Sequence, residues 1–188
     1  MPRSGKEARL RLRQAAIDLF LERGFDAVTT AEIAERAGLT ERTYFRHFPD
    51  KREVLFDGEN ALTEALTAAL AEIPPTEPPL STLLRAFLAM VPMLERNRPL
   101  SEPLTRVIAA TPALWERGAA KEAHLVEVLS TALHARGVDE ELAALAAGVG
   151  WGTLAQAMRR WRADPSGDLE GQVERAFRQL RTIVADRT

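Results

Sequence analysis

Apolar residues recur at three- and four-residue spacing along almost the whole chain, and no segment alternates as a half-buried strand would. Leu12, Ala16, Leu19 and Phe20 share one face of a first helix, which Gly24 closes. Short helices are predicted at about 30–37 and 40–47, with Gly38 between them. Asp50 opens a longer one running to about residue 72, with Glu53 completing a capping-box pattern. Pro74, Pro75, Pro78 and Pro79 then stop it. Further helices are expected near 81–96, 102–110, 112–136, 140–163 and 169–186. Pro99, Pro112, Gly137 and the turn at 164–167 mark their breaks. The expectation is an all-α protein of about nine helices, without a fixed-period repeat or a low-complexity tract.

The stretch 142–158 is nearly all apolar or small, but it is short for a membrane span and carries Thr153 and Gln156. A buried helix is the reading taken, with no membrane partner expected. With 188 residues and 46% hydrophobic composition the chain can bury a sizeable core. The absence of cysteine excludes disulfide scaffolds, thiolate-ligated metals and a cysteine nucleophile, and three histidines leave little for a metal centre. The basic start is not followed by an apolar run, so no signal peptide is expected and a cytoplasmic location fits.

Net charge is −2, which argues against a polyanion partner until its distribution is considered. Residues 1–13 hold Arg3, Lys6, Arg9, Arg11 and Arg13 against Glu7 alone, a local charge of +4. Residues 1–56 carry 11 basic and 9 acidic groups, against 14 and 18 in the remainder. The positive end is therefore N-terminal, where it can attract an extended anion. The same segment is also what a solvated tail looks like.

Residues 30–48 read TAEIAERAGLTERTYFRHF. Thr29 can cap the first short helix with Glu32 at the capping-box position, and Ile33, Ala34 and Ala37 form its apolar seam. Ala34 permits a close helix crossing and Gly38 a tight turn, as a helix-turn-helix needs. At 100° per residue, Glu41, Tyr44, Phe45 and Phe48 fall on one arc of the second helix, and Arg42, Thr43, Arg46 and His47 on the other. The second arc is a strip of hydrogen-bond donors suited to major-groove base edges and phosphates. A solvated helix face would look alike; the preceding helix, Ala34, Gly38 and the basic N-terminus favour DNA.

The stretch Arg9–Leu55 resembles the DNA-binding domain of TetR-family transcriptional regulators. The matching residues are the run at 15–20, Gly24-Phe25, Thr29-Thr30, Ile33-Ala34, Ala37-Gly38, Thr43, Phe48 and Lys51. The final helices and the ATPALWER stretch at 110–117 resemble, more weakly, mycofactocin-regulator-like members. The resemblance implies a DNA-binding domain at 1–56, its motif at about 29–48, and a helical effector-binding and dimerisation domain at 57–188. It places Thr30 and Ala31 at the backbone and groove edge, Arg42 and Thr43 at bases and phosphate, and His47 and Lys51 at phosphate. The family usually has Tyr where this chain has Phe45, so a hydroxyl–phosphate contact is absent, while ring packing on sugar or a thymine methyl remains open. Arg46 can supply compensating charge. Glu41 is open to two roles: accepting from cytosine, or holding Arg42 or Arg46.

The implied protein is a homodimer on a palindromic operator, with recognition helices about one DNA turn, roughly 34–36 Å, apart. The expected interface is a four-helix bundle from about 140–162 and 169–185 of each copy. Leu169, Val173, Ala176, Phe177, Leu180, Ile183 and Val184 form its stripe, and Gly148 and Gly152 permit close approach. The alternative is that the stripe packs only within its own monomer. Gly148–Gly152 lacks the spacing and strand context of a nucleotide loop.

The resemblance also implies an effector chamber. Candidate apolar lining is Phe87, Met90, Met93, Leu94, Val107, Ile108, Trp115, Val128, Trp151 and Met158, with His124 or Gln156 as polar groups. No cofactor or metal is implied. A di-iron bundle enzyme would need Glu-x-x-His pairs, and Lys121, Thr131 and Tyr44 stand three before His124, His134 and His47. The leading expectation is a repressor released by a small, largely apolar effector; an activator, or a regulator without an effector, is the alternative.

Overall fold

The computed structural model describes residues 3–164 and 166–185, with the side chains of residues 3, 4 and 59 left out. The predicted helix end at 186, Pro165 of the predicted turn and the Arg3 side chain lie outside what is described. Every regular element among the described residues is helical: α1 Arg3–Arg23, α2 Thr30–Arg36, α3 Glu41–His47, α4 Glu59–Ala71, α5 Pro79–Arg96, α6 Arg98–Ala110, α7 Pro112–His134, α8 Glu140–Ala163 and α9 Leu169–Ala185.

The long helix expected from Asp50 is not continuous. The Asp50 carboxylate accepts from the backbone N–H groups of Arg52 (2.7 Å) and Glu53 (3.2 Å), and only a single 3-10 turn, Glu53–Leu55, follows. Val54, Leu55 and Phe56 are all buried in succession, which one narrow face of an α-helix does not provide. The α-helix resumes at α4, after Gly58.

The chain divides into two compact units. The first comprises residues up to Asn60 together with Arg98–Ala120; the second comprises Ala61–Asn97 and the chain from Lys121 on. This differs from a division at 56/57, because α6 and the start of α7 group with the N-terminal helices. Val107 of α6 and Leu114 of α7 are buried with Leu12, Ala16, Ile17 and Phe20 of α1, Ile33 and Ala34 of α2, and Tyr44 of α3. The chain thus passes between the units three times.

The second unit is built on Leu66, Leu70, Leu83, Phe87, Leu125, Leu129, Leu133, Leu154, Trp161, Val173 and Phe177. At Gly150 a Cβ would lie 2.5 Å from Leu83 Cδ1, so α8 and α5 approach closely there and a side chain would require Leu83 to shift. Gly148 and Gly152, singled out for close packing, face open space in this chain. Nor is 142–158 buried throughout: Leu142 and Leu145 are exposed on the flank of α8 opposite Ala143, Ala147, Leu154 and Trp161. No helix among the described residues is long and apolar enough to cross a membrane.

Candidate nucleic-acid interface

Two caps and one turn position the short helices. Thr29 accepts from Glu32 N–H at 3.2 Å, while Glu32 accepts from Thr29 N–H at 2.8 Å, the reciprocal box expected from the sequence. Arg23 donates to the same carboxylate at 2.7 Å. The guanidinium bond first, then the two Thr29 bonds, hold the Glu32 carboxyl down at about 2. At the far end of α2, Gly38 adopts φ +66°; its N–H reaches Glu35 O and that of Leu39 reaches Ala34 O, both at 2.8 Å. This pair of bonds turns the chain sharply, and a side chain would be strained at that φ. Thr40 then caps α3 by accepting from Thr43 N–H.

The orientation of α3 follows from its two buried aromatics. Tyr44 and Phe48 face the unit's core, and the Tyr44 hydroxyl donates inward to Asp50 O at 3.2 Å. Burial pushes that phenol upward, with the Asp50 charge adding to it. Thr43 and His47 flank this anchor and are half-buried. The outward arc is therefore Glu41, Arg42, Phe45 and Arg46. The wheel drawn from sequence is rotated: Glu41 and Phe45 move to the solvent side, where Phe45 is 51% exposed. Arg42 and Arg46 have no hydrogen-bond or ion-pair partner among the described residues, and Glu41 is bonded to neither.

Other candidate contacts are engaged inside the unit. The Lys51 ammonium donates to Phe25 O (2.8 Å) and Val28 O (2.9 Å) and lies 4.1 Å from the Phe25 ring centroid. Two of its three donors thus clamp the α1–α2 loop instead of standing free for phosphate. The Thr30 hydroxyl donates to Glu41 Oε1 at 2.6 Å, which leaves its main-chain N–H as the donor available to a phosphate. Ala31 beside it is exposed. His47 Nε2 is buried without a hydrogen-bond partner among the described residues, and burial, then Arg46 and Arg9, lowers the pKa of His47 against an opposing pull from Asp57.

The basic N-terminal segment is helical from Arg3, not a tail. Arg9 pairs with Asp57 and lies over the Phe48 ring, and Arg11 donates to Ala37 O at the turn before α3. Sequence reasoning missed these structural roles. Their sign was the spacing itself, since Arg9 and Arg11 precede the apolar face of α1 by one turn or less. A polar cavity of about 270 Å³ lies between Arg9, His47, Glu53, Asp57 and Arg117. There Arg117 of α7 pairs with Glu53 at 3.1 Å and lies over Phe56.

The effector candidates are not gathered into one place. Trp115, Val107 and Ile108 belong to the first unit, Val107 in its core and Trp115 64% exposed. In the second unit Phe87 and Met90 are core residues, and Met93, Leu94, Trp151 and Met158 pack partly buried against that core. Val128 is half-buried, while His124 and Gln156 are exposed. The interface stripe divides likewise. Leu169, Val173, Ala176 and Phe177 fill the monomer's own core, Leu180 is half-buried, and Ile183 and Val184 are exposed.

Residues 12–57 match the model for bacterial regulatory proteins of the tetR family. The transcriptional regulator TcmR of Streptomyces glaucescens is 38% identical over 86 residues, which cover 46% of this chain and 38% of that protein. The chain spans about a third of the length of the curated relatives it matches. Among solved structures, NalD of Pseudomonas aeruginosa, a repressor of a multidrug efflux pump, superposes with TM-score 0.64 at 20% identity, covering 96% of each chain. FadR of Thermus thermophilus, a repressor solved with lauroyl-CoA, gives 0.59 at 24% identity over 92% of each. These two show a shared fold. Residues 12–57 are thus a DNA-binding segment of the tetR-family type, and the helices as a whole share the fold of these solved regulators.

Proposed function

We propose that this protein is a dimeric, sequence-specific repressor that binds a palindromic operator and releases it when a small, largely apolar effector binds. The observation that carries the DNA reading is the outward arc of α3. Two guanidinium groups without a partner among the described residues and an exposed aromatic ring stand on a helix held by a cap, a glycine turn and two buried aromatics. Arg42 reads bases, and Arg46 supplies a base or phosphate contact. Thr43 and His47 meet phosphate at the edge of the arc, with the Thr30 and Ala31 backbone beside them. Lys51 acts through the loop that it holds.

Residues 1–56 form the DNA-reading part, completed in its core by 98–120, and the remainder of 57–188 serves effector and partner. The exposed Leu142, Leu145, Ile183 and Val184, with open Gly148 and Gly152, fit a bundle made with a second copy. Met93, Leu94, Trp151 and Met158, packed partly buried against the second unit's core, are the adaptable apolar surface for the effector. An effector that favours one arrangement of the second unit shifts operator affinity through the three covalent crossings, and DNA weakens effector binding by the same factor. The expected location is the cytoplasm.

The test is selection of duplexes from a random pool, followed by binding of wild type and Arg42→Ala to the selected sequence and a scrambled one. The proposal expects an inverted repeat and loss of its preference in Arg42→Ala. A uniform weakening on both duplexes would move Arg42 to the phosphate class.

A further inference from the structure

The DNA-reading arc contains one acid. Glu41 lies at the edge of the exposed side of α3, next to Phe45, and no arginine neutralises it among the described residues. A carboxylate facing a polyanion is unfavourable unless it finds a donor there. Its conformation is also fixed: Thr30 Oγ1 donates to Oε1 at 2.6 Å, which ties the first residue of α3 to the first residue of α2 and leaves Oε2 free to accept.

We propose that Glu41 is a specificity-determining residue that selects cytosine in each half-site. In the major groove guanine presents two acceptors, adenine an acceptor beside its amine, and thymine an acceptor beside its methyl; cytosine presents only the N4 amine. A fixed carboxylate oxygen is repelled by the first three edges to differing degrees and bonded by the fourth. Its contribution is therefore discrimination more than affinity. Thr30 is the positioning residue, because its hydroxyl restricts the carboxylate before DNA arrives.

This inference rests on the proposed DNA reading, and the experiment separates the two. Binding of wild type, Glu41→Ala, Glu41→Gln and Thr30→Val is measured on the selected duplex and on duplexes carrying each of the other base pairs at every half-site position. Wild type should require cytosine at one position, by about tenfold, the scale of one mismatched pair. Glu41→Ala should lose that preference alone, with binding to scrambled duplex unchanged or stronger. Glu41→Gln should move the preference toward adenine, whose amine and ring nitrogen an amide can bond together. Thr30→Val should reduce the cytosine preference without shifting it to another base. If the Glu41 variants keep the wild-type preference everywhere, or weaken on all duplexes alike, the inference is overturned while the DNA reading stands. A wild type without preference at any position removes both.

Discussion

Arg11, Lys51, Thr30 and His47 show how the same polar side chain serves fold or ligand according to where its neighbours leave it. Lys51 bonds two loop carbonyls, so Lys51→Ala should lower the melting temperature while leaving the slope of log affinity against log salt unchanged. Arg46→Ala should reduce that slope by about one unit, as loss of one phosphate charge does. Calorimetry and salt titration separate these outcomes, and a reduced slope for Lys51→Ala would return it to the phosphate class. His47 gives a pH dependence. Its folded pKa lies below the ordinary 6.5, because burial and then Arg46 and Arg9 oppose the charge more than Asp57 favours it. The unfolded chain therefore takes up the proton first. The stability that neutral His47 contributes is present above the unfolded value and declines as pH falls toward the folded one. Denaturant midpoints between pH 7.5 and 5 should fall less for His47→Gln than for wild type; equal falls would exclude His47 as a source. The arginines and the loop lysine were legible in the sequence as cations but not as partners, since those bonds join positions 23 or more residues apart.

At the scale of elements the caps were readable and the rotation of one helix was not. Thr29, Glu32 and Gly38 announce α2 and its turn through local chemistry, which sequence spacing carries directly. The facing of α3 depends on which aromatic is buried, and helical spacing alone puts Tyr44 and Phe45 on the same side. Only packing into the first unit's core decides that Tyr44 goes in and Phe45 out. The same kind of tertiary demand, three consecutive buried residues at 54–56, replaces the expected helix from Asp50 by a 3-10 turn. Gly38 links the elements to function. Gly38→Ala places a side chain at φ +66°, where its Cβ would also meet Arg11 Nη2 at 2.7 Å. The expected cost is about 1–2 kcal/mol of stability, the penalty for a left-handed non-glycine residue. Thermal unfolding checks this, and an unchanged midpoint would show that the turn relaxes.

For the whole molecule, helical periodicity revealed the class and the nearly complete list of helices, yet not their grouping into units. Nothing local distinguishes Val107 and Leu114, which complete the first unit's core, from the apolar residues of the second unit. The interface prediction belongs at this scale too. Ile183→Glu combined with Leu145→Glu should give monomers in multi-angle light scattering without unfolding, because both positions are exposed in the single chain. Persistent dimers would place the interface elsewhere. Monomers should also lose most of their operator affinity, since each half-site alone is a weak site.

The most direct measurement of the central claim is a competition titration. A labelled duplex selected from a random pool is held by the purified protein at moderate ionic strength while selected or scrambled duplex is added, for wild type and for Arg42→Ala. Selected duplex should displace the label from wild type at a far lower concentration than scrambled duplex does, and Arg42→Ala should erase this gap. Equal displacement of wild type by both duplexes would contradict the claim.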